Sequence, residues 1–144
     1  MTQRCTLRCM LNNKPHTRAR LAADTVAWLT TVSAAGVPST APVWYMVDGE
    51  DSIILYSRDP SVRVRNIAAN PNVSLALNSD PHGADIVVVN GTATIDPSIP
   101  SVVDNEAYLE RYQARLAFHK WTPQWFAENY PAPIRITITS IRGK

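Results

Sequence analysis

The chain has 144 residues, 45% hydrophobic and 18% charged, with 14 Lys and Arg against 12 Asp and Glu for a net charge of +2. That length suits one domain with a buried core, and the composition excludes a disordered chain. The nearly neutral balance excludes a polyanion-coating surface, and no apolar run approaches the ~20 residues of a membrane-spanning helix.

The opening stretch, "MTQRCTLRCMLNNKPHTRARLAA", carries five basic residues and no acid before Asp24. It lacks the apolar segment and small-residue cleavage site of a secretory signal, so a cytoplasmic protein is expected. Residues 1–16 read as a flexible leader and 17–144 as a single domain. Cys5 and Cys9 are the only cysteines. In a reducing compartment, and without further ligands at zinc-finger spacing, both are expected as free thiols. "TRARLAAD" reads as a short helix with Thr17 as its cap.

Then the periodicity changes. "TVAWLTTVS" is rich in β-branched and aromatic residues and ends at the turn signal "AAGVP". "STAPVWYMV" follows up to Asp48-Gly49, a strong hairpin dipeptide, and "SIILYS" comes after it. Ala27 to Ser57 is thus expected as a three-stranded meander. In "YSRDPSVRVRNIAANP" a strand gives way to a helix, with Asp59 or Ser61 as cap, Pro60 in the first turn and Asn70-Pro71 as the stop.

"NVSLALNS" alternates with period two and predicts a half-buried strand. "ADIVVVNGTATID" is continuously apolar from Ile86 to Val89, as in a strand covered on both faces or lying at a subunit contact, and Gly91 marks a bulge. "DNEAYLERYQARLAFHKW" places residues 108, 109, 112 and 116 on one helix face, with Glu110, Arg111 and Arg115 off it. Thr122-Pro123 starts a second short helix, "PQWFAENY". "PIRITITSIRG" is a last strand with Ile134, Ile136, Ile138 and, after a shift, Ile141 on one face. Six short strands with helical interruptions predict a mainly β fold, a small barrel rather than a sandwich.

Arg58, Arg63 and Arg65 cluster where the third strand gives way to a helix. A helix start presents free N–H groups and a partial positive charge, and Ser57, Ser61 and the arginines surround it with further donors. That combination suits an anion, best a phosphate. Asp59 opposes this reading, because a carboxylate at the same helix start would repel a phosphate. The competing reading is a solvated face whose arginines pair with Asp48, Glu50 or Asp51. The residues alone leave both open. A nucleic-acid role is not expected, since no aromatics are interleaved with these arginines as a stacking platform.

The order of elements adds a resemblance. "AWLTTVSAAGVPSTAPVWYMVDGEDSIILYSR", followed by "RVRNIAANPNVSL", resembles the split β-barrel flavin and deazaflavin oxidoreductases, the superfamily of pyridoxamine 5′-phosphate oxidase. The likeness runs from about Ala27 to Asp96 and continues more loosely into "PIRITITSIRGK". Within the superfamily it looks most like the small actinobacterial branch that binds the deazaflavin coenzyme F420. The resemblance implies an FMN-binding split barrel in which the phosphate segment falls on Ser61, Val62 and Arg63. Val62 stands where the family has an arginine, and Arg63 where it has a lysine. Arg63 keeps the charge, and Arg65 and Arg58 are candidates to restore the missing cation. Ser57 matches the Ser or Thr that hydrogen-bonds the same phosphate, while Pro42, Val43 and Trp44 fall where strand backbone and flat apolar cover meet the cofactor ring.

By the same resemblance the chain is expected to be an F420-dependent reductase, passing a hydride from reduced deazaflavin to a small electron-poor substrate. FMN is the alternative cofactor, sharing the ribityl phosphate arm, and a non-catalytic carrier is the alternative role. Vitamin B6 oxidation is not expected, since "SIRGK" ends the sequence without the arginine-bearing segment those oxidases use. A homodimer with the cofactor site at its interface is expected, with "ADIVVVNG" as the buried patch. No catalytic residue is assigned. Tyr45, Tyr56 and His82 are weighed as proton donors against structural roles, and His16, His82 and His119 are too scattered to form a metal site.

Overall fold

The computed structural model describes residues 7–144. Its strands are β1 (Ala27–Val32), β2 (Pro38–Val43), β3 (Met46–Asp48), β4 (Ser52–Ser57), β5 (Asn72–Leu77), β6 (Val88–Ile95) and β7 (Ala132–Arg142). The helices are α1 (Leu7–Leu11), α2 (Pro15–Ala23), α3 (Val62–Ala69), α4 (Glu106–His119) and α5 (Pro123–Asn129), with a 3-10 turn at Val102–Asp104. The strands make one sheet in the order β2-β1-β5-β6-β7-β4-β3, antiparallel throughout.

β2 and β3 stand at opposite edges of that order, yet only Trp44 and Tyr45 separate them in the chain. Three Cα steps reach at most about 11 Å. The edges of a flat seven-stranded sheet would lie about 29 Å apart at ~4.8 Å per strand. The sheet is therefore rolled edge to edge, giving the mainly β split barrel with short helices that the sequence leads one to expect.

That closure corrects the meander. The run "STAPVWYMV" is two strands, β2 paired with β1 and β3 paired with β4. The cause is local to Tyr45, whose N–H donates to the Tyr112 hydroxyl at 2.6 Å. Its carbonyl accepts from that hydroxyl at 2.5 Å and from Arg111 Nε at 2.9 Å. Backbone groups taken by α4 are not free to pair with a strand, so the chain leaves one edge and crosses to the other.

The barrel interior is aliphatic. Leu29, Ile53, Leu55, Leu75, Val87, Val89, Ile134 and Ile136 form one buried cluster, every second residue of its strand facing in. Val87 and Val89 account for half of the apolar "IVVV" run, with Ile86 and Val88 left facing outward. The register of β6 against β7 shifts at Asn90/Gly91, where a Cβ on Gly91 would lie 2.3 Å from the Thr137 carbonyl oxygen. Only glycine allows that approach.

Of the two caps expected for α3, Ser61 takes the place: its hydroxyl accepts from Val64 N–H at 3.1 Å, and Asp59 is exposed and outside the helix. Two smaller expectations change. Thr17 lies inside α2 instead of capping it, and its hydroxyl donates to the Lys144 carbonyl at 2.6 Å. Cys9 is disulfide-bonded rather than a free thiol. Cys5 and the rest of residues 1–6 of the expected leader lie outside the described residues, while Leu7–Leu11 is helical and Leu11 reaches the aliphatic core. Among the described residues no helix is long and apolar enough to cross a membrane.

Candidate functional site

α3 starts beside the end of β4 because two buried side chains anchor it to the barrel: Ile67 enters the aliphatic core and Asn66 donates to the Thr31 hydroxyl at 3.0 Å. This sets the first turn of α3 against the free edge of β2, and a groove runs between them. Leu29, Thr31, Ser39, Ala41, Pro42, Arg58, Ser61, Val62, Arg63 and Tyr130 line one cavity of about 330 Å³. A second cavity of about 320 Å³ continues past Pro42, Arg63 and Tyr130 to Val26, Val43, Trp44, Tyr56, Arg115, His119, Trp121 and Phe126. Both sizes fall at the small end of the range for ligand sites.

The first cavity is the cationic end. Arg63 Nη1 donates to the buried Ser57 hydroxyl at 3.1 Å, and Ser57 and Ser61 oxygens lie 3.5 Å apart. Val62 and Arg63 open α3, so their N–H groups have no partner within the helix. Arg58 lies 4.7 Å over the ring of Tyr130. No carboxylate pairs with Arg58, Arg63 or Arg65 among the described residues, and Asp48 is bound to Arg135 instead. The solvated ion-pair reading is thereby set aside. Burial lowers the pKa of the Arg63 guanidinium, with Tyr130 partly opposing the effect. Arg63 is thus a half-buried cation held by one neutral hydroxyl. Arg65 is exposed and lines neither cavity, so it stands apart from the other site residues.

The second cavity is aromatic. Trp44 lies parallel to Tyr112 at 4.8 Å and to Phe126 at 5.5 Å, and Phe126 stacks on Tyr130 at 4.6 Å. Trp121 stacks on Trp125 at 4.6 Å and on His119 at 4.3 Å. The position of Trp44 follows from the pinned crossover at Tyr45. Arg111, expected to lie off the buried face of α4, reaches back to the carbonyls of Leu21, Ala22, Asp24 and Tyr45 and ties α4 to the end of α2.

Of the residues weighed as proton donors, Tyr45 is fully buried and donates to the Leu21 carbonyl at 2.8 Å, and burial raises its pKa. Tyr56 lines the aromatic cavity, but its hydroxyl donates to Pro100 O at 2.6 Å, and burial again raises its pKa. His82 sits in an exposed loop outside both cavities. The groove therefore gathers Pro42, Val43, Trp44, Arg58, Ser61 and Arg63; Ser57 is fully buried behind Arg63 and lines neither cavity, and Arg65 is left out as well. Sequence reasoning missed Arg115, His119, Trp121, Phe126 and Tyr130. One signal was present: Tyr108, Tyr112, Phe118, Trp121, Trp125, Phe126 and Tyr130 fall within one short stretch, more than a helix face needs for burial.

A rolled antiparallel sheet with a cationic end and a ring-walled cavity in one groove is the architecture of a small split barrel. The chain belongs to the pyridoxamine 5′-phosphate oxidase family, whose model matches residues 14–143, within the split-barrel flavin-binding superfamily. Among curated proteins none matches the sequence. Solved structures share the fold at low identity. An F420 reductase superposes with a TM-score of 0.63 and 18% identity over 88% of this chain and 96% of its own. HutZ, the heme storage protein from Vibrio cholerae, gives 0.65 and 14% over 91% and 94%. A FAD-binding protein from Mesorhizobium loti gives 0.58 and 21% over 86% of each chain.

Proposed function

We propose that this protein binds coenzyme F420, or FMN as the second reading, and acts as an oxidoreductase on a small electron-poor substrate. The observation that carries the proposal is Arg63, a half-buried cation without a carboxylate, held only by the Ser57 hydroxyl at one end of a groove that Ser61 also lines and whose continuation is walled by rings. A buried unpaired charge is unfavourable unless a ligand completes it. The residues present therefore fit a group that carries a phosphate arm on a flat heterocycle.

In this reading Arg63, Ser57, Ser61 and the N–H groups that open α3 hold the phosphate, with Arg58 at the rim. The free edge of β2 at Pro42 and Val43 offers backbone groups to the polar side of the ring, and Trp44 covers a face. When bound, a reduced deazaflavin supplies a hydride to an electron-poor carbon. Tyr130 and Phe126 close the groove against water around the transfer. The F420 reductase among the solved structures makes F420 the first cofactor to test.

Separate titrations with FMN and F420 give the decisive constants. Arg63→Ala is expected to weaken the cofactor that binds by ten- to a hundredfold, the loss of a charge-assisted hydrogen bond of roughly 1.5–3 kcal/mol. An unchanged affinity would remove Arg63 from the phosphate site. Tight binding with no consumption of reduced cofactor across activated alkenes and quinones would assign a carrier instead. The reading includes a homodimer, because Val62, on the wall of the open groove, exposes 49% of its surface and Val37 exposes 61%, and a second copy would cover such apolar surface. Light scattering at micromolar concentration is expected to give twice the 15.9 kDa chain mass.

A further inference from the structure

The two ends of the groove differ in the cation they offer. Arg63 faces both cavities, whereas Arg115 lines only the aromatic one. Arg115 is not a freely waving surface arginine, since its Nε donates to the Thr25 hydroxyl at 2.7 Å. That tether uses one of its five N–H groups. The two terminal nitrogens have no acceptor among the described residues, and no carboxylate pairs with the side chain. A guanidinium fixed through Nε and open at its fork is arranged for a bidentate planar acceptor.

The walls beside it have one shape. Trp44 and Phe126 lie within 4° of parallel, and His119 and Trp121 within 16°. These rings stack directly on one another, and the surface they leave toward the cavity is flat and apolar, which favours flat conjugated ligands. Resting on the reading that the Ser57–Arg63 end takes the cofactor phosphate and that Pro42, Val43 and Trp44 take its ring, the part of the aromatic cavity beside Arg115, His119 and Trp121 is left for the substrate. We propose that its substrate class is a planar conjugated carboxylic acid, with the rings against the His119–Trp121 side of the cavity and the carboxylate on the fork of Arg115. His119 extends the ring wall at the mouth of the cavity.

The test uses cofactor-free full-length protein and calorimetric titration with 2-naphthoate and its uncharged analogue 2-naphthamide. The acid is expected to bind at least tenfold more tightly than the amide, and Arg115→Gln to bring the acid down to the level of the amide while leaving the amide unchanged. Equal affinity for acid and amide in the unaltered protein overturns the proposal without any variant. So does an Arg115→Gln protein that keeps the preference, or a preference lost in Arg63→Ala but kept in Arg115→Gln, which would send the carboxylate to the phosphate end. Neither probe contains a phosphate and no cofactor is present. Failure here thus leaves the FMN and F420 affinities to be judged separately, and failure of those affinities leaves this result readable.

Discussion

Two hydrophobic clusters hold this molecule together, and they are built from different side chains. The barrel interior is almost wholly Leu, Ile, Val and Ala, placed by strand alternation and closed on all sides. The second cluster, packed by Ile54 and Tyr56 on one side and by α4 and α5 on the other, holds Tyr108, Tyr112 and Phe126 at its centre with Trp44, Trp121, Trp125 and Tyr130 half-exposed around it. Branched aliphatics fill space to crystal-like density. Large flat rings stack, each pair contributing about 0.5–1.5 kcal/mol, and here the stacked rings wall a cavity of about 320 Å³. The first cluster makes the fold, and the second makes a place for a flat molecule.

The largest expected effect separates them directly. Ile136 is fully buried inside the barrel, and Ile136→Ala is expected to lower stability by about 2–5 kcal/mol through lost burial and the cavity left behind. Cofactor affinity of the protein that remains folded should not change. Trp44 is half-exposed and lines the groove, so Trp44→Ala should lower stability less and cofactor affinity more. Urea unfolding and cofactor titration of both variants give the comparison. A Trp44→Ala protein as destabilised as Ile136→Ala, with cofactor affinity intact, would make the aromatic cluster a second structural core.

Arg63 sharpens the contrast on the polar side. Its charge is half-buried and answered only by the Ser57 hydroxyl, so in the ligand-free protein it opposes folding. Arg63→Met keeps the length and apolar stem of the side chain and removes the charge. It is expected to raise ligand-free stability by roughly 0.5–2 kcal/mol while lowering cofactor affinity, the opposed signs that mark a functional site. A loss of stability on this change would mean that the Ser57–Arg63 contact is structural.

The barrel was largely legible because period-two alternation declares itself: Ile134, Ile136 and Ile138 all point inward as their spacing requires. The helix cap at Thr122 and the bulge beside Gly91 rest on equally local chemistry. The split between β2 and β3 was not legible, since it depends on Tyr112 and Arg111, more than sixty residues away, taking the backbone of Tyr45. The grouping of Ser57, Ser61 and Arg63 was legible because they are neighbours in sequence. The aromatic end joins Trp44 to residues 115–130, and only the tertiary fold brings them together. Arg65 looked equivalent to Arg63, but two residues along a helix turn a side chain to another face, and Arg65 meets solvent.

The smallest expected effect tests the paired counterpart of Arg63. Arg135 donates to Asp96 and Asp48 at 2.7 Å each, which is the ion pairing that Arg63 lacks. Hydrogen bonds from Ser98 and then Arg135 hold the Asp96 carboxyl at a pKa of about 2. An unfolded Asp titrates near 3.9. The folded value is the lower of the two, so the contribution of Asp96 is fully present above about pH 4 and is lost as pH falls toward 2. Asp96→Asn removes that titration but leaves Asp48, Asp80 and Asp85 in place, so the difference between the proteins isolates Asp96. Urea midpoints at pH 6, 4 and 2.5 are expected to show the unaltered protein ahead by a constant margin down to about pH 4, with the gap closing below it. A gap that is constant across the range would mean that Arg135 relies on Asp48 alone, and the two arginines would then differ less in their surroundings than the distances indicate.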